Sequence, residues 1–551
     1  MTSSKLLLSL ALLIPASALH ARQLTPAQAL DRAFSESGVA PSRASSADYS
    51  LSYTAKAPGS TTPGVYVFTR PGGGFIMVSA DDAAESLLGY SDTSTFSPEA
   101  ISPSMAYWME SYASQVEWAA AHPSTPSRAA ATRPSRAPIA PLLTTTWNQN
   151  SPYNDLAPEV SGSSQSNGRA PTGCVATSTS QVMNYHKWPA KGTGSNSYEW
   201  TLGGTKQTIS MDFSTVTFDW NDMLNSYAGS YTEAQGNAVA TLMKAVGVAV
   251  KMQYGPNDSG ATSEAAWEAL YTYFGYSKSA TFSQRGWYGL YDWEDLIYIS
   301  LKNDGPAILG GQSGTGGHSF VCDGYSTDGF FHINWGWGGT SNGYFLLTAL
   351  NPSSQGIGGS EGGYNFNQDV ITGIRPAKDG DQPNCQLVAV DFNPTSSAAA
   401  RQITLSDMTV YTYSTVNLTN VTFGLEIGGN FYYSNSKFSG QFGAPGTGYK
   451  FSYSVPLTGL PAGSYQARPA FKCDQVPDGS VILTDVTELP FFNLTVASDG
   501  TITTEVPSPE ITIDNFTFST SFLQGQQFSF SAEVTNSGVT EYSGALTAVI
   551  I

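Results

Sequence analysis

The chain has 551 residues, too many for one ordinary domain, and at about 150 residues per domain it predicts three or four. Its 25 Lys and Arg against 43 Asp and Glu leave a net charge of −18 with no basic cluster, which argues against nucleic acid or an anionic membrane surface as a partner. Only 12% of the residues are charged while 55 are Gly, a balance that suits extracellular β-rich structure better than a cytosolic enzyme.

Lys5 precedes the apolar run 6–18, and small residues follow at Ala16, Ala18 and Ala21. This reads as a secretory signal over 1–21, too short to span a bilayer, and no later stretch is apolar enough for a membrane span. The mature protein is therefore expected outside the cytoplasm: extracellular, at the cell surface, or in a periplasm.

Residues 25–35 read as a short helix and 64–79 as two alternating strands around a glycine turn. A helix over 103–120 carries its apolar side on Met105, Trp108, Met109, Tyr112 and Val116. Together these predict a small α/β unit over 22–121. Residues 122–141, rich in Pro, Ser, Ala and Arg without periodicity, read as an exposed linker of the kind where proteolytic nicking concentrates.

Over 142–376 helices come first and strands second, an α+β order. Pro171 and Gly173 break the chain just ahead of Cys174, and Val175, Ala176, Thr179, Val182, Met183 and His186 then recur at helical spacing. Ala238, Leu242, Ala245 and Val246 mark a helix ending at Gly247, after which Val248, Val250 and Met252 alternate as a strand. Residues 263–274 form a helix closed by Gly275, and Trp293, Ile297 and Leu301 mark another closed by 303–305. Strands over 318–325 and 329–335 flank a turn at 326–329, and 343–350 follows, so the sheet is expected to be antiparallel.

Beyond Asp379 short alternating strands separated by Gly, Pro, Asn and Ser predict an all-β sandwich of immunoglobulin type over 385–498. A further β-module begins over 508–551, where the sequence stops inside an apolar strand. Three strands do not bury a sandwich core, so the chain is expected to be a fragment or to have this module completed from outside.

Four cysteines are too few for a disulfide scaffold. Cys385 and Cys473 share the β-rich third and are a possible pair, which leaves Cys174 and Cys322. Cys174 stands at a helix N-terminus, where unpaired N–H groups and the dipole favour a thiolate. A buried structural cysteine fits the same position. Cys322 lies mid-strand and reads as a packing thiol.

A thiolate nucleophile needs an imidazole partner and a group that orients the imidazole. Of five histidines, His20 lies in the signal and His122 in the linker. His186, on the helix of Cys174, is about 18 Å away at about 1.5 Å per residue and out of reach. His318 and His332 remain. His318 follows a stretch that reads as a glycine-rich loop over 310–317, where absent side chains would let a substrate backbone approach, and lies 144 residues after the cysteine, inside the range of about 130–150 found in papain-like enzymes. Asn334, in Asn334-Trp-Gly-Trp-Gly-Gly339, is placed to accept the imidazole N–H, with Trp335 and Trp337 excluding water from that bond. His332, two residues before Asn334, stays open as an alternative base.

Gly173-Cys-Val-Ala-Thr177, Tyr254-Gly-Pro256, Gly316-Gly-His-Ser-Phe320, Asn334-Trp-Gly-Trp-Gly-Gly339 and Ala349-Leu-Asn-Pro352 resemble the streptopain-like family of secreted bacterial papain-like cysteine peptidases. The likeness runs from about residue 25 to residue 374, so the first unit resembles an inhibitory pro-domain. It implies a papain-like peptidase domain with Cys174 as nucleophile, His318 as general acid/base, Asn334 orienting it and Trp335 beside it. Gln149, in Trp147-Asn-Gln-Asn150, falls where the family supplies an oxyanion-hole donor together with the Cys174 N–H. Gly316 and Gly317, and Gly358 and Gly359 in a mobile loop over 356–363, would border the substrate. The likeness also implies protein or peptide substrates with bulky apolar side chains two positions before the cut, the chain's own pro-domain as intramolecular inhibitor, and no cofactor or metal. The segment after 379 has no counterpart in the shorter members. A papain-like acyltransferase runs the same thioester chemistry, and a surface binding protein with a vestigial peptidase domain is the other competing reading.

Overall fold

The structure, a computed structural model, describes residues 21–36, 45–121, 134–202, 204–288, 290–313, 316–349, 368–438, 440–443, 445–484, 491–506, 511–518 and 530–536, the last two spans as backbone. The expected signal peptide, Gly358 and Gly359, and the apolar strand at 545–551 lie outside the described residues.

The N-terminal unit contains α1 (Pro26–Glu36), four strands, β1 (Ser50–Ala55), β2 (Val65–Thr69), β3 (Phe75–Ser79) and β4 (Leu87–Ser91), and α2 (Pro103–Ala121). Strands β2 and β3 are apolar on both faces, and the fold uses both. Val65, Val67, Phe75 and Met77 pack under Met105, Trp108, Met109, Tyr112 and Val116 of α2. Tyr66, Phe68, Ile76 and Val78 pack against Ala29, Leu30 and Ala33 of α1. The Ser102 hydroxyl accepts the Met105 N–H at 3.1 Å and starts α2.

Next in chain order come α3 (Cys174–His186), the hairpin β5 (Ser195–Leu202) and β6 (Thr205–Asp212), α4 (Glu233–Ala249), the short β7 (Gln253–Tyr254) and β8 (Ser259–Gly260), and α5 (Ser263–Tyr273). After them come β9 (Thr281–Gln284), α6 (Leu290–Asn303), β10 (Ala307–Ser313), β11 (Gly316–Tyr325), β12 (Phe331–Asn334), β13 (Gly343–Phe345) and β14 (Gln368–Thr372). The strand expected at 248–252 is absent. Instead α4 continues to Ala249, Lys251 turns left-handed at φ 52°, and the Met252 N–H closes on the Gly247 carbonyl at 2.9 Å. The apparent alternation there is a helix end with its cap residues buried. Of the glycine-rich stretch 310–317, expected as a loop, 310–313 instead belong to β10 and 316–317 to β11, with Gly311 opposite His318.

One antiparallel sheet runs through both units in the order β1-β2-β3-β4-β13-β12-β11-β10-β14-β9. The seam is β4 against β13, with Gly89 opposite Phe345 and Tyr90 stacked on Tyr344 at 5.4 Å. A side chain at position 89 would run into the Phe345 ring, so the seam requires glycine there. Helices α3, α4 and α5 cover one face of the central strands through Val321, Ile308 and Ile371. The other face packs on α2 and α6 through Phe320, Leu309 and Val370.

The described end of the linker expected up to residue 141 is exposed at 134, 135, 137, 138, 140 and 141, yet it is fastened to the strands and helix beside it. The Arg136 side chain is 4% exposed and donates to Glu294 at 3.0 Å and Asp295 at 2.8 Å on α6, with Tyr298 and Tyr325 under its guanidinium. Ile139 bridges backbone to backbone with Tyr325.

The C-terminal region forms two sheets around one core that includes Leu405, Val410, Phe423, Leu425, Phe471 and Leu494. It docks on the outer strand of the large sheet: Tyr413 lies against Phe282 and Trp287, and Thr415 donates to the Lys278 carbonyl at 2.7 Å. Cys385 and Cys473 belong to the same core and are free thiols, as are Cys174 and Cys322. Past this core, residues 511–518 and 530–536 pair as one antiparallel hairpin. Among the described residues no helix is long and apolar enough to cross a membrane.

Arg136→Ala breaks two ion pairs at once, one of them to a carboxylate that is 1% exposed. The expected loss is about 2 kcal/mol, read as a lower denaturation midpoint, with faster amide exchange across 134–141.

Candidate active site

Gly173 begins α3 at φ 88°, and a Cβ there would meet the Ser259 carbonyl at 2.7 Å and the Met252 sulfur at 2.8 Å. Only glycine lets the helix start this close to the β7–β8 turn, and that start fixes Cys174 as its first residue. Thr177 returns its N–H (3.1 Å) and hydroxyl (3.0 Å) to the Gly173 carbonyl and locks the first turn. Burial raises the Cys174 pKa above the ordinary thiol value, against the N–H groups of Ser319, Val175 and Cys174 itself, which favour the thiolate. The helix end alone does not yield a thiolate in this form.

His318 lies on β11, and strand alternation decides which way it faces. Ser319 bonds the Ser178 hydroxyl of α3 at 2.7 Å, and Val321 packs with the α3 core. Phe320 packs on Trp108 of α2, and His318 shares its face. The ring of Tyr107, also on α2, stacks on His318 with centroids 5.2 Å apart and planes 29° apart. The Tyr107 hydroxyl reaches over Gly311, where a Cβ would stand 2.6 Å from it. Burial lowers the His318 pKa. Thiol and imidazole thus stand on opposite faces of β11, each pushed toward its neutral form.

Asn334 ends β12 and is 2% exposed, yet its hydrogen bonds lead away from His318. Its carbonyl oxygen accepts from Gly336 N–H at 3.0 Å and Gln181 at 3.4 Å, and its amide donates to the Thr145 carbonyl at 2.8 Å. Gln181 in turn accepts from the Thr145 hydroxyl at 2.8 Å. One buried side chain on α3 therefore ties Asn334 and the 145–147 segment to the cysteine helix. Sequence reading missed Gln181, although its place seven residues after Cys174, on the buried side of the helix, was a usable signal. Tyr107 left no signal, since it falls outside the apolar stripe read for that helix.

Trp335 is fully buried and packs on Trp108, Phe320 and Phe345 rather than over an imidazole. The Gln149 carbonyl accepts the Thr172 N–H at 3.1 Å, which holds this residue beside the loop leading into Cys174. Gly316 and Gly317 open β11 opposite Ser313 and Gln312. The alternative base His332 is committed elsewhere: its Nδ1 lies 2.6 Å from Asp323, a carboxylate that also takes the Leu143 N–H. His186 sits at the far end of α3 against Tyr185 and Tyr276, its pKa lowered to about 4 by burial. Cys322 is buried on the α2 face, its pKa raised by the same cause. Among the described residues no cluster of His, Cys, Asp or Glu has the makings of a metal site.

Comparison with known proteins places these features in context. A family model described as the peptidase C10 family matches residues 147–345, and one described as Spi protease inhibitor matches 21–116. Streptopain from Streptococcus pyogenes serotype M1 is 37% identical over 327 residues, covering 57% of this chain and 81% of that protein. The thiol protease/hemagglutinin PrtT of Porphyromonas gingivalis is 34% identical over 364 residues, 63% of this chain and 41% of that one. A solved fragment of Prevotella intermedia prointerpain A, a cysteine-to-alanine mutant, matches at TM-score 0.51 and 35% identity, covering 60% of this chain and 99% of the fragment.

The raised thiol pKa has a direct readout. In the full chain iodoacetamide should label Cys174 only as pH climbs above the ordinary thiol range, because a raised pKa leaves little thiolate below it. Tyr107→Ala, or cleavage between the two units, should move the onset to lower pH. Peptide mass mapping across a pH series measures it, and an unmoved onset in both would show that α2 does not control the thiol.

Proposed function

The chain belongs to the peptidase C10 family, the streptopain-like cysteine peptidases, and on that premise we propose that Cys174, His318, Asn334 and Gln149 are its catalytic set. It is a cysteine endopeptidase made as a zymogen, with a papain-like peptidase fold behind an inhibitor-like N-terminal domain. The observation that carries the residue assignment is the start of α3: Gly173 presents Cys174 at a helix N-terminus beside the Ser319 N–H, one residue from His318 and bonded through Thr172 to Gln149.

In the released enzyme the Cys174 thiolate attacks a peptide carbonyl and forms a thioester. His318 protonates the leaving amine and then activates water for deacylation. The Gln149 amide and the Cys174 N–H receive the oxyanion. Asn334 accepts the N–H of His318 once the imidazole has left Tyr107, and Trp335 keeps water from that bond. Gly316 and Gly317 border the bound peptide.

The N-terminal unit, 22–121, acts as the intramolecular inhibitor by holding His318 on the wrong face of β11. Support comes from the Tyr107 stack and the β4–β13 seam. Cleavage between 122 and 135 releases it, since Arg136 onward is fastened to α6. The residues of 1–21 mark the protein for secretion. The C-terminal region, 385–498, is an immunoglobulin-like sandwich, a reading supported by two sheets sharing one core.

The test is casein hydrolysis by the cleaved enzyme. Cys174→Ala and His318→Ala should each lose about 1,000-fold or more in kcat/KM, while His332→Ala keeps its activity on the folded fraction. Turnover that survives Cys174→Ala would remove the assignment, and product masses distinguish water from an amine as acyl acceptor.

A further inference from the structure

Asp369 is an acid that the reaction above does not use. It lies on β14, 8% exposed, and its Oδ1 has no hydrogen-bond partner among the described residues. Leaving a carboxylate oxygen buried and unmatched costs stability unless something else meets it.

Its position in the sheet gives the direction in which it points. Ser319, Gly310 and Asp369 stand side by side on β11, β10 and β14. All three belong to the face covered by α3 and α5, because Ser319 bonds Ser178, and Ile308 and Ile371, one turn of alternation away, pack in the α3 core. The Ser319 N–H bonds the Cys174 sulfur, so this row starts at the nucleophile. Two strand spacings, about 10 Å, bring it to Asp369. A Cβ on Gly310 would collide with Asp369 Oδ1 and stand 2.5 Å from the Ser263 hydroxyl. The carboxylate therefore leans over Gly310, back along the row toward Cys174.

The surroundings of Asp369 are acidic and lie close to the surface. Their rim is half-exposed at Ala261, Ser263 and Glu264, where α5 begins. Burial raises the Asp369 pKa to about 7, with Ser263 opposing that rise and the nearby Glu264 carboxylate adding to it. Glu264 is itself raised by burial. Tyr107, across β10, is raised by burial and by Asp369 in turn. Two carboxyl groups within range of each other, one with an orphan oxygen, offer a guanidinium or ammonium group more than they offer a hydrocarbon.

We propose that Asp369 is a specificity-determining residue of the released peptidase, selecting a lysine or arginine side chain within three residues ahead of the scissile bond. This rests on Cys174 as the nucleophile, and it departs from the apolar preference that the family likeness implies. The glycine at 310 gives the long basic side chain a path over β10, and the Asp369 carboxylate ends that path.

The experiment uses the cleaved, full-length enzyme and fluorogenic peptides that differ only in Arg, Lys or Leu at each of the three positions before the cut. At one position wild type should favour Arg or Lys over Leu. Asp369→Asn should lower kcat/KM for the basic peptide by about tenfold or more while leaving the Leu peptide within about threefold. The ratio is the readout, so a general loss of folded enzyme cancels, and Asp369→Ser reads the same ratio if the Asn variant does not fold. A wild-type preference for Leu at all three positions, or a basic-to-Leu ratio unchanged in both variants, would overturn the proposal. Failure of the nucleophile assignment shows separately, as cleavage of either peptide by Cys174→Ala.

Discussion

Two register pairs, Tyr90 with Tyr344 and Gly89 with Phe345, join an inhibitor-like unit and a peptidase unit into one sheet, and the placement of His318 follows from that pairing. A strand added to a sheet edge fixes a partner in register as well as in place. The helix carried on the same unit is then set in register too, so Tyr107 arrives over Gly311 and His318 and Trp108 arrives against Trp335. Tyr112 reinforces the seam by donating to the backbone on both sides of it, at Leu88 and at Leu346. Gln115 does the same one turn later, accepting from the Thr348 hydroxyl and the Ala349 N–H at 2.7 Å each.

On the proposed assignment, latency in this chain is mainly a matter of one displaced imidazole, that of His318 under Tyr107. The cysteine, its helix N-terminus, the Gln149 segment and Asn334 are already tied together through Thr172, Thr145 and Gln181. An ion pair of thiolate and imidazolium needs the thiol pKa down and the imidazole pKa up, and burial moves both the opposite way. Bringing the thiol and the imidazole together would reverse both shifts at once, since each charge stabilises the other in a site that excludes water. Activation on this view builds little new structure. It frees the face of β11 that α2 now covers.

Much of this was legible in the sequence, for identifiable reasons. Gly173 before Cys174 announced a helix start because few residues other than glycine hold φ 88° there, and the hairpin about Ser326 announced itself by its turn residues. The alternation of Val248, Val250 and Met252 misled, because a helix end with three buried cap residues mimics a strand in a window that short. The glycine run at 310–317 was read as a loop because glycine in a strand is unusual. Gly310 and Gly311 are explained only by what crowds them, Asp369 on one face and Tyr107 on the other. The motifs named Cys174, His318 and Asn334 as one expected site, but they carried no sign of the face of β11 on which His318 rests. Arg136 was equally silent, since its acidic partners on α6 lie more than 150 residues away in sequence.

Removing the inhibitor also uncovers a sheet edge, which exposes a protein to pairing with other chains. Here the uncovered strand is β13, only Gly343–Phe345, and one of its three residues is a glycine. An edge that short offers few unpaired backbone groups to a passing strand. At the opposite end of the same sheet the outer strand β9 is longer by one residue and is not left open: Gln386 donates to the Phe282 carbonyl at 3.4 Å, and Tyr413 stacks on the Phe282 ring at 5.7 Å. The C-terminal module thus covers one edge while the N-terminal unit covers the other, and the proposed cleavage would open only the second. Strands β10 and β11, which carry Gly310 and His318, lie inside the sheet between the two, where loss of either flank leaves their own ladder intact.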